Sequence, residues 1–303
     1  MQERYQNLKI AQRGVLLNIS AYIVLTLLKL VVGQLSHSAT LIADGSNNLT
    51  DVFSSCAIMV GLRLTQRPPD EHHQYGHWKA ETIATLLVSF IMLLVGLSVL
   101  YSSVQDLLFQ KSTTPDIHAL FVGLFSGIVM FIIYLRNKKR AALINSEALG
   151  AIAKDSRNDA WTSFSTSAAI IGANFHMPWL DGAAALIIGL LILKTAYNIF
   201  SASAFSLSDG FDDDLLDEYT AAVQKIDGVE LVHNIQGRSY GANIFVDIII
   251  WVDPQMTVRR SHHITEKIES LLRRKYGVFD TDVHVEPWDI DYEPQLPNEL
   301  NSH

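Results

Sequence analysis

Six long apolar blocks dominate this chain of 303 residues, at 10–33, 41–64, 80–103, 118–135, 141–175 and 179–200. A helix that crosses a bilayer needs roughly 20 mostly apolar residues, so each block is a candidate span. The first, third, fourth and sixth are clear. The second and fifth carry polar pairs, Asn47 with Asp51 and Asp155 with Asp159. On a helix, residues spaced i, i+4 share one face, about 5–6 Å apart at Cβ. Ionisable side chains inside spans are costly and face a partner, a water-filled cavity or a substrate path. These two helices are therefore expected to be shielded by the others. If the pairs face each other, four oxygen-bearing side chains converge, the donor set that suits a hard divalent cation.

Loop charge predicts the orientation. Arg4, Lys9, Arg13, Arg63, Arg67, Lys79, Arg136, Lys138, Lys139 and Arg140 fall on one side, against Lys111 among the short loops of the other. Cytoplasmic loops hold the excess of Lys and Arg, so six spans with both termini in the cytoplasm are expected. Met1–Lys9 is polar and the first apolar block is longer than a signal h-region, so no cleavable signal peptide is expected. The single cysteine, Cys56, excludes an internal disulfide framework and a Cys-rich metal site. A net charge of −8, largely from the C-terminal third, argues against a nucleic-acid partner.

The character changes after Ser203. Segment 213–225 reads as an amphipathic helix. Segments 229–238 and 242–252 read as strands rich in β-branched residues, split at Tyr240-Gly241. A second helix over 257–275 and a short strand over 280–288 follow. This αββαβ order predicts a small two-layer α/β domain. The organisation is then a six-helix transmembrane domain over 1–207, a cytoplasmic domain over 208–290 and an acidic tail, 291–303, expected to be disordered. No phosphate-binding loop or dinucleotide fingerprint occurs.

Asn47-x-x-x-Asp51 in the second span, with Asp155-x-x-x-Asp159 in the fifth, resembles the cation diffusion facilitator family. So do the six spans, the YGHWKAE stretch after the second span and the small C-terminal α/β domain. The resemblance covers about residues 10–288. It implies a homodimeric, proton-coupled exporter of divalent metals in a bacterial inner membrane. It also implies a metallochaperone-like C-terminal domain, no enzyme activity and no cofactor besides the transported ion. Zinc members usually carry His in the quartet; here that position aligns with Asp155, and an acidic position aligns with Asn47. The resulting Asn-Asp-Asp-Asp set resembles that of bacterial manganese exporters. Oxygen ligands suit Mn²⁺, whereas imidazole and thiolate suit Zn²⁺ and Cu⁺. Fe²⁺, Zn²⁺ and Cd²⁺ stay open as cargo. A membrane metal sensor or scaffold stays open as a different class, and an intramembrane acid/base hydrolase is a weaker one.

Clustered carboxylates in a poorly solvated site repel one another, so an empty site takes up protons that an arriving divalent ion expels. Asp51, Asp155 and Asp159 are the candidate proton carriers. A single Asp in such a span also has a plainer explanation, a loop position or a structural pair with Lys29 or Lys194. Those two lysines are expected to snorkel toward an interface. Asp44 is expected to be a helix-cap residue near the membrane surface, or else an accessory ligand at the outer mouth.

The resemblance implies further sites. Asp70, His73 and His77 match the family's second metal site, in the loop after the second span, against the alternative of idle solvated histidines; His72 has no counterpart. His233, His262, His284 and Glu286 match metal ligands at the dimer interface of the C-terminal domain. Ile249 stands where zinc members carry a His, which leaves a weaker site, or none, in play. Lys79 and Asp209 match a charge pair that in the family holds the two membrane halves together.

Overall fold

A computed structural model describes residues 2–65, 67–68, 70–109, 114–144, 147–241 and 243–288. Lys111 and the tail 291–303 lie outside the described residues. The chain forms two compact units: Met1–Arg63 with Ile83–Ala202, and Leu64–Thr82 with the chain from Ser203 onward.

The first unit is helical. Its helices are α1 (Gln2–Leu35), α2 (Ala39–Thr65), α3 (Ala80–Leu108), α4 (Ile117–Ile144), α5 (Glu147–Asn174) and α6 (Trp179–Leu207). The apolar block expected over 141–175 is corrected: residues up to Ile144 finish α4, and α5 begins at Glu147. Apolarity runs through this junction, but the Asn-Ser pair before Glu147 is a helix-start signal. Among the described residues, four helices are long and apolar enough to cross a membrane, over Asn18–Leu35, Ala80–Leu108, Ile117–Leu143 and Trp179–Leu207. The polar residues of α2 and α5 hold those two below that standard.

Short connections make the helices alternate in direction. Asp116 N donates to Ser36 O at 3.1 Å, Asn174 Nδ2 donates to Pro115 O at 3.1 Å, and Asp181 bonds the start of α2. One end of the bundle therefore gathers the last turns of α1 and α5 with the first turns of α2, α4 and α6. In two places the helices approach closely at a glycine. A Cβ on Gly127 of α4 would lie 2.5 Å from the Phe164 ring of α5, and one on Gly96 of α3 would lie 2.7 Å from Leu193 of α6. Small residues at such crossings are how membrane helices gain packing without a hydrophobic drive between them.

The polarity of this unit is inverted relative to a water-soluble bundle. Leu87, Phe90, Leu94, Phe121, Phe125 and Ile187 are exposed, while Asn18, Lys29, Asp44, Asn48, Ser163 and Thr166 are buried. An apolar outside around a polar inside fits a bilayer solvent.

The second unit follows the expected αββαβ order. It comprises α7 (Asp213–Val223), β1 (Leu231–Tyr240), β2 (Asn243–Val252), α8 (Val258–Leu271), a π turn over Leu272–Tyr276 and β3 (Asp280–Pro287). Asp212 caps α7 by accepting from Asp214 N at 3.0 Å. The sheet order is β1-β2-β3, with β1 antiparallel to β2 and β3 parallel to it. Val246, Ile248, Ile250 and Val252 alternate into a core shared with Tyr219, Ile264, Ile268 and Leu272. That is the period-2 pattern of a half-buried strand. The opposite face carries Phe245, against which Tyr75 and Trp78 of the 64–82 segment pack with centroids 6.3 and 5.9 Å away.

Candidate metal centre

Helices α2 and α5 bring the two polar pairs to one cavity of about 690 Å³. Asn47, Asp51, Asp155 and Asp159 all line it, with Asn18, Tyr22, Ser54, Ser55, Asn158 and Thr162. Asn47 Nδ2 donates to Asp159 Oδ1 at 3.5 Å, so the pairs do face each other across the helices. Asp159 is 7% exposed, whereas Asp155 stands at the wet side of the cavity. Among the described residues that line it there is no imidazole or thiolate.

A third i, i+4 pair, unremarked in the sequence reading, belongs to the same site. Asn18 and Tyr22 lie one turn apart on α1 and both line the cavity. The Tyr22 hydroxyl donates to Asp159 Oδ2 at 2.5 Å, and the Ser156 hydroxyl donates to Asn18 Oδ1 at 2.9 Å. A polar pair at helical spacing in an otherwise apolar span was the available signal, the same one that marks α2 and α5.

Two expectations about neighbouring charges are corrected. Lys29 does not snorkel: it is fully buried, donating to Asn48 Oδ1 at 2.6 Å and to Ser163 Oγ at 2.9 Å. Asp44 is not a cap near the membrane surface, for it is fully buried within α2 with Oδ2 2.9 Å from Lys29 Nζ. The two make a Coulombic pair whose angles fall outside hydrogen-bond geometry. The physical reason is mutual: each charge inside the bundle gives the other the partner that water would otherwise supply. Lys194, by contrast, is exposed on α6.

The start of α2 is capped from another helix. Asp181 in the first turn of α6 accepts from Ser38 Oγ at 2.8 Å and from Ala39 N at 2.6 Å. Its carboxylate thereby satisfies a first-turn amide of α2 and opposes the positive end of that helix's dipole.

In the 64–82 segment, Asp70, His73 and His77 come together, with one ligand atom of each within 4.8 Å of the others. His73 Nδ1 donates to Asp70 Oδ1 at 3.0 Å, and His77 Nε2 lies 3.4 Å from Asp70 Oδ2. Hydrogen bonds from the His73 ring first, and then from the His73 and His72 amides, hold the Asp70 carboxyl below its ordinary range. Lys79 Nζ donates to Asp209 Oδ1 at 2.9 Å and sits 4.4 Å above the Tyr240 ring, which ties this segment to the C-terminal sheet.

The C-terminal set is only partly assembled within one chain. A bulge in β1 takes His233 out of the ladder, and its ring stacks on Trp251 at 4.6 Å. Trp251 Nε1 donates to Glu286 Oε2 at 3.0 Å, and His284 Nε2 lies 3.4 Å from Glu286 Oε1. His262 instead faces Glu266 on α8, 3.7 Å away. Among the described residues these four do not gather as Asp70, His73 and His77 do. Ile249 is the cross-strand partner of His284.

Comparison with known proteins decides the family. Residues 15–208 match the family model described as cation efflux transmembrane domain, and residues 211–288 match that of the cation efflux protein cytoplasmic domain. The chain belongs to the cation efflux family. It is similar to the manganese efflux system protein MneS of Bacillus subtilis, 42% identical over 285 residues that cover 94% of this chain and 98% of that one. The manganese efflux system protein MneP of the same organism is 28% identical over 289 residues, covering 92% and 97%. The magnetosome protein MamM of Magnetospirillum gryphiswaldense is 30% identical over 250 residues, covering 82% and 79%. This is the family that the sequence resembles. The chain is a multi-pass metal cation efflux transporter, and its relatives are transporters rather than enzymes.

Proposed function

We propose that this transporter exports Mn²⁺ from the cytoplasm in exchange for protons, working as a homodimer in a bacterial inner membrane with six spans and cytoplasmic termini. The observation that carries the reading is the donor set of one cavity: Asn47, Asp51, Asp155 and Asp159, all oxygen donors, with no imidazole or thiolate among the described lining residues. Such a set favours Mn²⁺ over Zn²⁺. Its likeness to MneS over nearly the full length of both chains supports the same cargo. Asn47 turns its amide oxygen toward the ion, and water completes a shell of about six ligands. Three carboxylates that repel one another when the ion leaves are the natural carriers of the counter-transported protons. The six spans take in α2 and α5, whose polar pairs the other four helices shield from lipid.

Asp70, His73 and His77 are proposed as a second, mixed oxygen and nitrogen site. His233, His284 and Glu286 are proposed as a C-terminal site completed across the dimer, with His262 as its outermost member.

The test is Mn²⁺ flux in proteoliposomes with an acidified opposite compartment and no membrane potential. Flux that rises with the pH gradient, and disappears in Asp51→Ala and Asp159→Ala variants of normal gel-filtration behaviour, is expected. Flux retained in both variants removes the assignment of the site. Flux indifferent to the gradient removes the proton coupling.

A further inference from the structure

We propose that Lys29, Asp44, Asn48 and Ser163 form a charge gate that closes the path beyond the transport site. The inference rests on the transport reading above. The cavity runs from the quartet toward the last turns of α2 and the first turns of α5, where Ser54, Ser55, Met59 and Ile152 line it. On the other side of the quartet the direction is sealed. Asp44 lies one turn before Asn47 on α2, Ser163 one turn after Asp159 on α5, and Lys29 two turns after Tyr22 on α1. All three point along the bundle toward the same end, the one that gathers the α1–α2 turn and the end of α5. None of the four gate residues lines the cavity, and all four are fully buried.

One ammonium holds three helices together there. Lys29 on α1 bonds Asn48 and Ser163 and pairs with Asp44, linking α2 and α5 at the level just past the site. The Lys29–Asp44 attraction, little screened in a medium of low dielectric, holds α1 against α2 and keeps this direction closed to a cation leaving the quartet. Around this ammonium the packing is polar yet incompletely bonded. Asn48 Nδ2, Thr26 Oγ1 one turn before Lys29 on α1, and Thr166 Oγ1 one turn after Ser163 on α5 are buried without hydrogen-bond partners among the described residues. Buried groups of this kind are an exception that calls for a reason. Parting α1 from α2 and α5 would hydrate them and open an oxygen-lined exit. Electrostatics and hydrogen bonding therefore oppose each other across one element, which is what a two-state gate requires.

The experiment uses the full chain in proteoliposomes, in a Cys56→Ser background with Thr166→Cys as reporter. Thr166 is fully buried, seven residues past Asp159 on α5. A membrane-impermeant thiol reagent is applied to each face in turn. With Lys29→Gln and Asp44→Asn together, labelling from the face beyond the gate is expected to rise at least about tenfold, because the charge pair that sealed it is gone. Mn²⁺ should also leak down its gradient without a pH gradient, while its calorimetric affinity stays within about threefold, since no quartet ligand is altered. Unchanged labelling in a double variant that still binds Mn²⁺ overturns the gate. A double variant that fails gel filtration is replaced by Asp44→Asn alone, which leaves Lys29 bound to Asn48 and Ser163 and is judged by the same labelling. If the unaltered protein binds no Mn²⁺, the transport reading fails by itself, and the labelling, which needs no metal, still decides the gate.

Discussion

The Tyr22 hydroxyl donates to Asp159 Oδ2 at 2.5 Å, from one helix to another, inside the cavity that the four candidate ligands line. The bond leaves Asp159 Oδ1 pointing toward Asn47. On the proposed reading it would set which carboxylate oxygen is presented to an ion. Groups that orient a ligand in this way typically carry 10–100-fold of metal affinity. Tyr22→Phe keeps the ring and removes only the donor. Mn²⁺ affinity measured by calorimetry is expected to fall about tenfold, with little change in thermal stability. An unchanged affinity would make Tyr22 a packing residue.

Asp155 is the most exposed member of the quartet, and the resemblance drawn from the sequence implies that it stands where zinc members carry His. Asp155→His should raise the ratio of Zn²⁺ to Mn²⁺ transport, because imidazole nitrogen favours zinc over a hard oxygen site. The ratio is the informative quantity, since altering any ligand also lowers the absolute rate. An active variant with an unchanged ratio would place selectivity in helix geometry and water rather than in side-chain hardness.

Asp181 gives α2 its amide partner from α6, and Thr40 Oγ1 donates back to the Asp181 carbonyl at 2.5 Å. Removing a capping side chain costs about 0.5–2 kcal/mol, and here it also unties two helices. Asp181→Ala should lower the midpoint of thermal unfolding, while Mn²⁺ affinity at the quartet is retained. Loss of affinity without loss of stability would mean that the cap acts on the site directly.

The loop cluster has its own pH behaviour. Hydrogen bonds from His73, and then from the His72 amide, hold the Asp70 carboxyl below its ordinary range, which is about 3.9 for an unperturbed Asp. A carboxyl lowered in the folded loop contributes order that is fully present above its unfolded value and lost as the pH falls through the lowered one. Asp70 should therefore leave the loop unaffected above about pH 5. In an Asp51→Ala background, Asp70→Asn is expected to weaken Zn²⁺ binding to the loop at neutral pH by at least about tenfold, through loss of a charged ligand. Equal binding by the two proteins would show that Asp70 only shapes the turn.

Periodicity and spacing carried much of this molecule. The long apolar runs marked the helices, and the i, i+4 pairs marked the faces of α2 and α5 that meet. The switch to period 2 after Ser203 marked β2, and the αββαβ order was legible because each element has a local signal. The break between α4 and α5 was expected at the charged stretch 136–140 and falls instead after Ile144, because a helix can carry charged residues past the end of its apolar run. What the tertiary structure alone decided are the partners. Lys29 and Asp44 are 15 positions apart and look like separate charges until α1 packs on α2 and brings them to 2.9 Å. Tyr22 and Asp159 are 137 positions apart and meet only because α1 lies beside α5. A residue's own helix dictates which face it occupies; what it bonds, and whether a buried charge is a liability or half of a pair, depends on the helix that packs opposite.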